Sequence, residues 1–73
     1  MKYYEICFDD GWGICIKANK KPTIEQVLNH LTERERGNYT IDCVSYLDEI
    51  SLKEALLFYD LSNVDNWKEL IID

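Results

Sequence analysis

The first part of the chain alternates apolar and polar side chains with the two-residue period of a half-buried β-strand. Its apolar members are Tyr4, Ile6 and Phe8 before the turn Asp9-Asp10-Gly11, and Trp12, Ile14 and Ile16 after it. A glycine at the end of a three-residue loop adopts the left-handed backbone conformation that such a hairpin requires. We therefore predict a hairpin whose register places Ile6 opposite Ile14 and gathers all six apolar side chains on one face.

The hairpin is followed by a predicted helix over residues 24–35. Thr23 stands three residues before Gln26, and in such a capping box each side chain satisfies a backbone donor of the first helical turn. The apolar residues Ile24, Val27, Leu28 and Leu31 follow at helical spacing. We expect this helix to stop at Gly37-Asn38, because glycine commonly follows the last helical turn.

A second capping box, Ser51 with Glu54, predicts a second helix over residues 52–60. Its inward side chains are expected to be Leu52, Ala55, Leu56 and Tyr59. A further apolar side, made of Leu57, Phe58 and Leu61, is more than one sheet face requires.

Between the two helices, residues 39–47 are rich in β-branched and aromatic side chains and predict a third strand. Its inner set is expected to be Ile41, Cys43 and Leu47. The tail, residues 64–73, fits either a third helix or a short strand. We favour the helix, because Asn63 or Ser62 can cap it and its lysine and glutamate are mediocre strand formers.

These elements predict one α+β domain over residues 1–73, in the order ββαβα(α). The chain of 73 residues has room for one hydrophobic core, and 47% of its residues are hydrophobic. The expected architecture is a small two-layer sandwich, in which a three-stranded antiparallel sheet carries its helices on one face.

Charge is distributed unevenly along the sequence. The formal net charge is −6, and the acids and bases of residues 1–41 cancel. The acids of the second half are Asp42, Asp48, Glu49, Glu54, Asp60, Asp65, Glu69 and Asp73, against Lys53 and Lys68. An acidic surface repels nucleic acid and attracts basic protein surfaces. We therefore expect a protein partner and no direct contact with nucleic acid.

The sequence offers no set of residues typical of an enzyme or a metal site. Cys7, Cys15 and Cys43 have neither the spacing of a zinc site nor that of a disulfide scaffold, and His30 is the only histidine. The serines lack a nucleophile elbow. We predict no enzymatic activity, no cofactor and no bound metal, with the cysteines reduced.

No segment approaches the ~20 apolar residues that span a bilayer, and no apolar run precedes the first acids. We expect no membrane partner and a cytoplasmic location, in the protein's own cell or in a host cell.

The functional hypothesis is a non-enzymatic module that occupies a basic, nucleic-acid-handling surface of a larger protein. The residues predicted to bind this partner are four acids and two aromatic anchors, namely Asp60, Asp65, Glu69, Asp73, Trp67 and Tyr59. In a helical tail, Asp65, Glu69 and Asp73 would form one stripe that imitates a phosphate backbone. In size and charge the chain resembles the small inhibitors that phages and mobile elements use against host defence, including anti-CRISPR proteins.

The alternative is a structural or assembly protein that forms a homodimer through the second predicted helix. In that case Leu57, Phe58 and Leu61 make the interface, and the acidic face only keeps the exterior solvated.

Overall fold

The computed structural model describes all residues, 1–73, as a four-stranded sheet with three α-helices. The strands are β1 (Lys2–Phe8), β2 (Gly13–Ala18), β3 (Val44–Ile50) and β4 (Trp67–Leu70). The helices are α1 (Ile24–His30), α2 (Glu33–Arg36) and α3 (Leu52–Phe58). Short 3-10 helices at Ile41–Cys43 and Val64–Asn66 precede β3 and β4. None of the helices has the length and hydrophobicity needed to span a bilayer.

The hairpin of β1 and β2 confirms the predicted register. Ile6 pairs with Ile14 and Tyr4 pairs with Ile16. The turn closes through a hydrogen bond from the Gly11 amide to the Phe8 carbonyl at 2.9 Å, and Gly11 has a φ of 92°. This left-handed conformation is the one that glycine adopts without steric cost. The alternating pattern and the turn therefore fix this part of the fold locally.

The sheet is mixed, with strand order β3-β1-β2-β4. β1 is antiparallel to β2 and to β3, whereas β4 runs parallel to β2. The α+β class is confirmed, but the prediction of a three-stranded antiparallel sheet is wrong. The tail supplies the extra strand, because the outer edge of β2 is free to pair. Asn19 fixes its end by donating to the Ile72 carbonyl at 2.7 Å and accepting from the Ile72 amide at 2.8 Å.

Helices pack on both faces of the sheet, so the prediction that they share one face is also wrong. On one face, Val27, Leu28 and Leu31 of the α1 segment join the inward side chains of β1 and β2 in the hydrophobic core. On the other face, α3 packs against β1 and the hydroxyl of Tyr59 reaches Glu5. We refer to this second side as the α3 face.

The helices are shorter than the sequence predicts, although the predicted capping boxes at Thr23 and Ser51 are present. The first predicted helix is divided, because Thr32 forms a capping box of its own with Glu35 and starts α2. The second predicted helix ends at Phe58, and Tyr59 is extended.

The third strand begins later than predicted, at Val44. Cys43 and Leu47 pack against the core as expected. Ile41 is instead 53% exposed, because the 3-10 turn that contains it rotates its side chain away from the sheet.

Candidate functional site

The stripe predicted for Asp65, Glu69 and Asp73 does not form. Residues 64–66 are a 3-10 helix and residues 67–70 are a strand, so the prediction of an α-helix in the tail is wrong. The four-residue spacing of an α-helix does not apply to such a segment. Asp65 lies beside a groove at the hairpin turn, and Glu69 lies on β4 next to Lys17 of β2. The backbone oxygen of Asp73 accepts a hydrogen bond from Lys20.

Asp60 is exposed directly after α3. Its carboxylate accepts hydrogen bonds from the Ser62 hydroxyl and the Ser62 amide. These two bonds, the hydroxyl first, lower the pKa of Asp60 below its usual value. Of the four predicted acids, it is the one that lies next to α3.

The two predicted aromatic anchors are half-buried and hold the chain together. The Trp67 indole N–H donates to the carbonyl of Leu61 at 2.9 Å. The Tyr59 hydroxyl donates to Oε2 of Glu5 at 2.7 Å. Burial, followed by the hydrogen bond to Glu5, raises the pKa of Tyr59, so its hydroxyl stays protonated as a donor at neutral pH.

The largest exposed apolar surface on a single helix lies on α3. Only Ala55 of this helix is buried. The exposed fractions are 52% for Leu52, 60% for Leu56, 74% for Leu57 and 61% for Phe58. We call these four residues the α3 patch. Leu52 and Leu56 were expected to face inward, but a helix that meets the sheet through Ala55 and Tyr59 leaves them at its flank.

Three acids without ion-pair partners lie on α3, directly after it, or on the face of the sheet that α3 covers. Glu54 is on α3 itself, Asp60 follows it, and Asp48 is directly opposite Glu5 on the α3 face of the sheet. The ion pairs of the protein lie elsewhere, between Lys2 and Glu49 and between Lys68 and Glu35. Lys53 is the base on α3. The patch therefore has an apolar centre and a mainly acidic rim.

A cleft of about 560 Å³ lies beside the α3 patch, between the end of α3 and the hairpin turn. Its lining includes Glu5, Cys7, Tyr46, Phe58 and Tyr59. Tyr46 donates to Oε1 of Glu5 at 2.7 Å, and the Cys7 thiol donates to the Tyr46 oxygen at 3.0 Å. The bond to Cys7 and then the bond to Glu5 raise the pKa of Tyr46.

A larger groove, of about 1020 Å³, lies at the other side of the hairpin turn, against α2. The Trp12 and Tyr39 rings stack there with centroids 5.7 Å apart. Asp10 accepts from the Tyr39 hydroxyl and from the Trp12 amide. The groove also contains Arg34 and several more carboxylates. Its charges are of both signs, and Asp10 is already bonded within the protein.

The possible nucleophiles are not arranged as a catalytic set. Cys15 is fully buried, and burial raises the pKa of its thiol to about 11, so it is not a thiolate at neutral pH. Ser45 and Ser62 donate to Asp9 and Asp60. No group of three His, Cys, Asp or Glu residues converges as metal ligands would. The chain has no significant match to a known family model, a curated protein or a solved structure.

Proposed function

We propose that this chain is a non-enzymatic protein-binding module, and that it binds a larger protein through the α3 patch. The observation that carries the proposal is the exposure of Leu52, Leu56, Leu57 and Phe58 on a helix of seven residues. Four exposed apolar side chains on one short helix are unusual on a monomer surface, where large apolar areas mark sites of interaction. The proposed anchor is therefore the helix itself, in place of Trp67.

The patch offers enough binding energy for a specific contact. Full burial of a leucine or phenylalanine side chain contributes about 1.5–3 kcal/mol. Because each of the four side chains has more than half of its surface exposed, covering the patch releases roughly 4–7 kcal/mol before the cost of association. This is a useful fraction of the ~8 kcal/mol that corresponds to micromolar affinity.

The charges around the patch select the partner. Asp48, Glu54 and Asp60 are exposed and without ion pairs, so a partner with lysine and arginine around an apolar recess is complementary to this rim. Proteins that handle nucleic acid carry such basic surfaces, and a small inhibitor of one would use a rim of this sign. A second copy of the chain is the other candidate, since the α3 patch is apolar, but it would bring acids against acids.

The test uses two matched substitutions of exposed apolar residues. Leu57→Gln changes the most exposed residue of the α3 patch, and Ile41→Gln changes an apolar residue outside it that is also more than half exposed. The partner is captured with the wild-type chain and purified, and the affinities of the three proteins for it are measured by calorimetry. We expect Leu57→Gln to weaken binding about 5- to 30-fold, because it forfeits about 1–2 kcal/mol of burial. Ile41→Gln should bind as the wild type does.

Equal affinity of the Leu57→Gln variant and the wild type would exclude the α3 patch as the binding surface. Raising the salt concentration should also weaken binding of the wild type, because the rim is charged. Sedimentation equilibrium of the free proteins distinguishes a homodimer from a monomer that binds a different protein. A wild-type dimer that Leu57→Gln converts to a monomer would assign the patch to self-association instead.

A further inference from the structure

The cleft beside the α3 patch has a carboxylate at its floor that two tyrosines hold in place. Oε1 of Glu5 accepts the Tyr46 hydroxyl and Oε2 accepts the Tyr59 hydroxyl, both at 2.7 Å. An ionised carboxylate has about four acceptor positions, so about two remain for donors from outside the protein. The two tyrosines therefore orient the carboxylate without saturating it.

No cation of this protein neutralises Glu5. Its carboxylate takes part in neither of the two ion pairs, and Asp48 lies directly opposite it on β3. Like charges opposite one another on a sheet destabilise it, and a partly buried anion without a cation loses solvation. The bonds from the two tyrosines account for Glu5 in folding, whereas no contact within the protein offsets the charge of Asp48 opposite it.

The walls of the cleft suit a long basic side chain. The rings of Tyr46 and Phe58 line it, and aromatic faces attract cations while they contact the aliphatic stem of lysine or arginine. Gly13 keeps the floor open. A Cβ at this position would lie 2.9 Å from the Cys7 sulfur and 3.4 Å from the Tyr59 oxygen. Any larger residue would therefore displace Cys7, whose thiol donates to the Tyr46 hydroxyl that binds Glu5.

We propose that this cleft receives a lysine or arginine side chain of the protein that covers the α3 patch. The inference rests on the proposed function and names the chemistry of the partner. Phe58 belongs to both the patch and the cleft, so the cleft adjoins the patch at this residue. The apolar part of the partner covers the patch, and its basic residue enters beside Phe58 and binds the free acceptor positions of Glu5.

The experiment uses a blocked tri-arginine peptide as the probe and a blocked tri-citrulline peptide as its neutral control of similar shape. Each is titrated into the labelled full chain, and the backbone amide signals are followed by NMR. We expect saturable shifts of the amides of Glu5, Cys7, Gly13, Tyr46 and Tyr59 with the arginine peptide alone. Glu5→Gln should weaken this binding about tenfold or more, because the charge-assisted bonds are lost.

Three further variants make the outcome decisive. Glu25→Gln removes an exposed acid of α1 and should bind the peptide as the wild type does. Asp48→Asn leaves Glu5 and both tyrosines unchanged and should weaken binding a few-fold, so it tests the cleft even if Glu5→Gln does not fold. Leu57→Gln should keep the arginine-dependent shifts, because it changes the α3 patch alone.

Shifts spread over all surface acids, or an undiminished affinity of both Glu5→Gln and Asp48→Asn, would overturn the inference. If that happens while Leu57→Gln still loses the partner, the α3 patch stands and only the basic side chain in the cleft is excluded. If Leu57→Gln retains the partner, the proposed function itself is wrong.

Discussion

The attachment of α3 to the sheet depends on one side-chain hydrogen bond, which makes Tyr59→Phe a sharp test of the fold. The helix buries only Ala55, and the Tyr59 hydroxyl is its polar tie to Glu5 of β1. The substitution removes the hydroxyl and keeps the ring. A hydrogen bond to a charged group contributes about 1.5–3 kcal/mol net. Because Glu5 keeps the bond from Tyr46 and water can enter the open cleft, we expect a loss of about 1–2 kcal/mol.

This loss is a substantial part of the free energy of unfolding expected for a chain of this length. A domain of 73 residues has a free energy of unfolding on the order of 4–11 kcal/mol. The melting temperature should fall by roughly 5–15 °C, since 1 kcal/mol corresponds to about 4–8 °C in domains of this size. The measurements are urea unfolding and thermal unfolding at pH 7, combined with amide hydrogen exchange of α3.

Tyr3→Phe is the matched control, because the Tyr3 side chain lies on the same face of β1 as Glu5 and its hydroxyl makes no hydrogen bond. It should change the free energy of unfolding by less than about 0.5 kcal/mol. In the Tyr59→Phe variant, the α3 amides should exchange faster than those of the hairpin. The reasoning fails if Tyr59→Phe costs no more than Tyr3→Phe, or if α3 exchange is unchanged.

Three further predictions concern packing and pH. Gly13→Ala should lower the free energy of unfolding in urea by about 1–3 kcal/mol, because its Cβ would lie 2.9 Å from a backbone oxygen; an unchanged midpoint would contradict this. In the same assay, Leu28→Ala should lower the free energy of unfolding by about 2–5 kcal/mol and Leu57→Ala by less than about 1 kcal/mol, because Leu28 is buried and Leu57 is exposed. A larger loss for Leu57→Ala than for Leu28→Ala would contradict this. The hydrogen bond to Asp10 raises the pKa of Tyr39 to about 12, so the melting temperature should fall above pH ~10, where the tyrosine ionises in the unfolded chain. The same bond lowers the pKa of Asp10, so the melting temperature should also fall below pH ~4, where the aspartate is protonated in the unfolded chain. Tyr39→Phe should flatten both limbs of this pH profile, and limbs as steep as in the wild type would exclude the pair as their cause.

The parts of the fold that the sequence predicts correctly are those that depend on local chemistry. Gly11 permits the hairpin turn, and the alternation of Tyr4 and Ile6 sets the register of the hairpin. The two strands that pair are neighbours in the sequence. The capping boxes at Thr23 and Ser51 begin their helices where predicted, because a cap acts within four residues.

The parts that were wrong depend on distant partners. The last residues have an ambiguous pattern, and they form a strand because β2 has a free edge and Asn19 binds Ile72, more than 50 residues away in the chain. The pattern of apolar and polar residues in the tail does not show that a distant strand has a free edge. Thr32 was a missed local signal, since a threonine three residues before Glu35 is itself a capping box.

The exposed apolar surface of α3 has a counterpart in the sequence, whereas the internal bonds of the predicted aromatic anchors do not. The apolar run from Leu56 to Phe58 exceeds what one helix face can bury, and this excess is visible in the sequence as well as in the exposure of the α3 patch. Trp67 and Tyr59 looked like free anchors because large aromatic residues dominate interfaces. Their polar atoms instead bond within the chain, which only the tertiary structure reveals.

The strand order determines what the acidic second half of the chain can do. β3 and β4 lie at opposite edges of the sheet, so Glu49 and Glu69 are separated and the charge asymmetry of the sequence does not become one acidic face. Charge therefore does not single out one face of the protein, and the proposed binding surface rests on the exposure of the α3 patch. The acids that remain near this patch act at short range, since beyond about 8–10 Å salt screens their attraction. Under the proposed function, we expect the partner's charge to complement Asp48, Glu54 and Asp60, while the net charge of the whole chain contributes mainly to the rate of encounter.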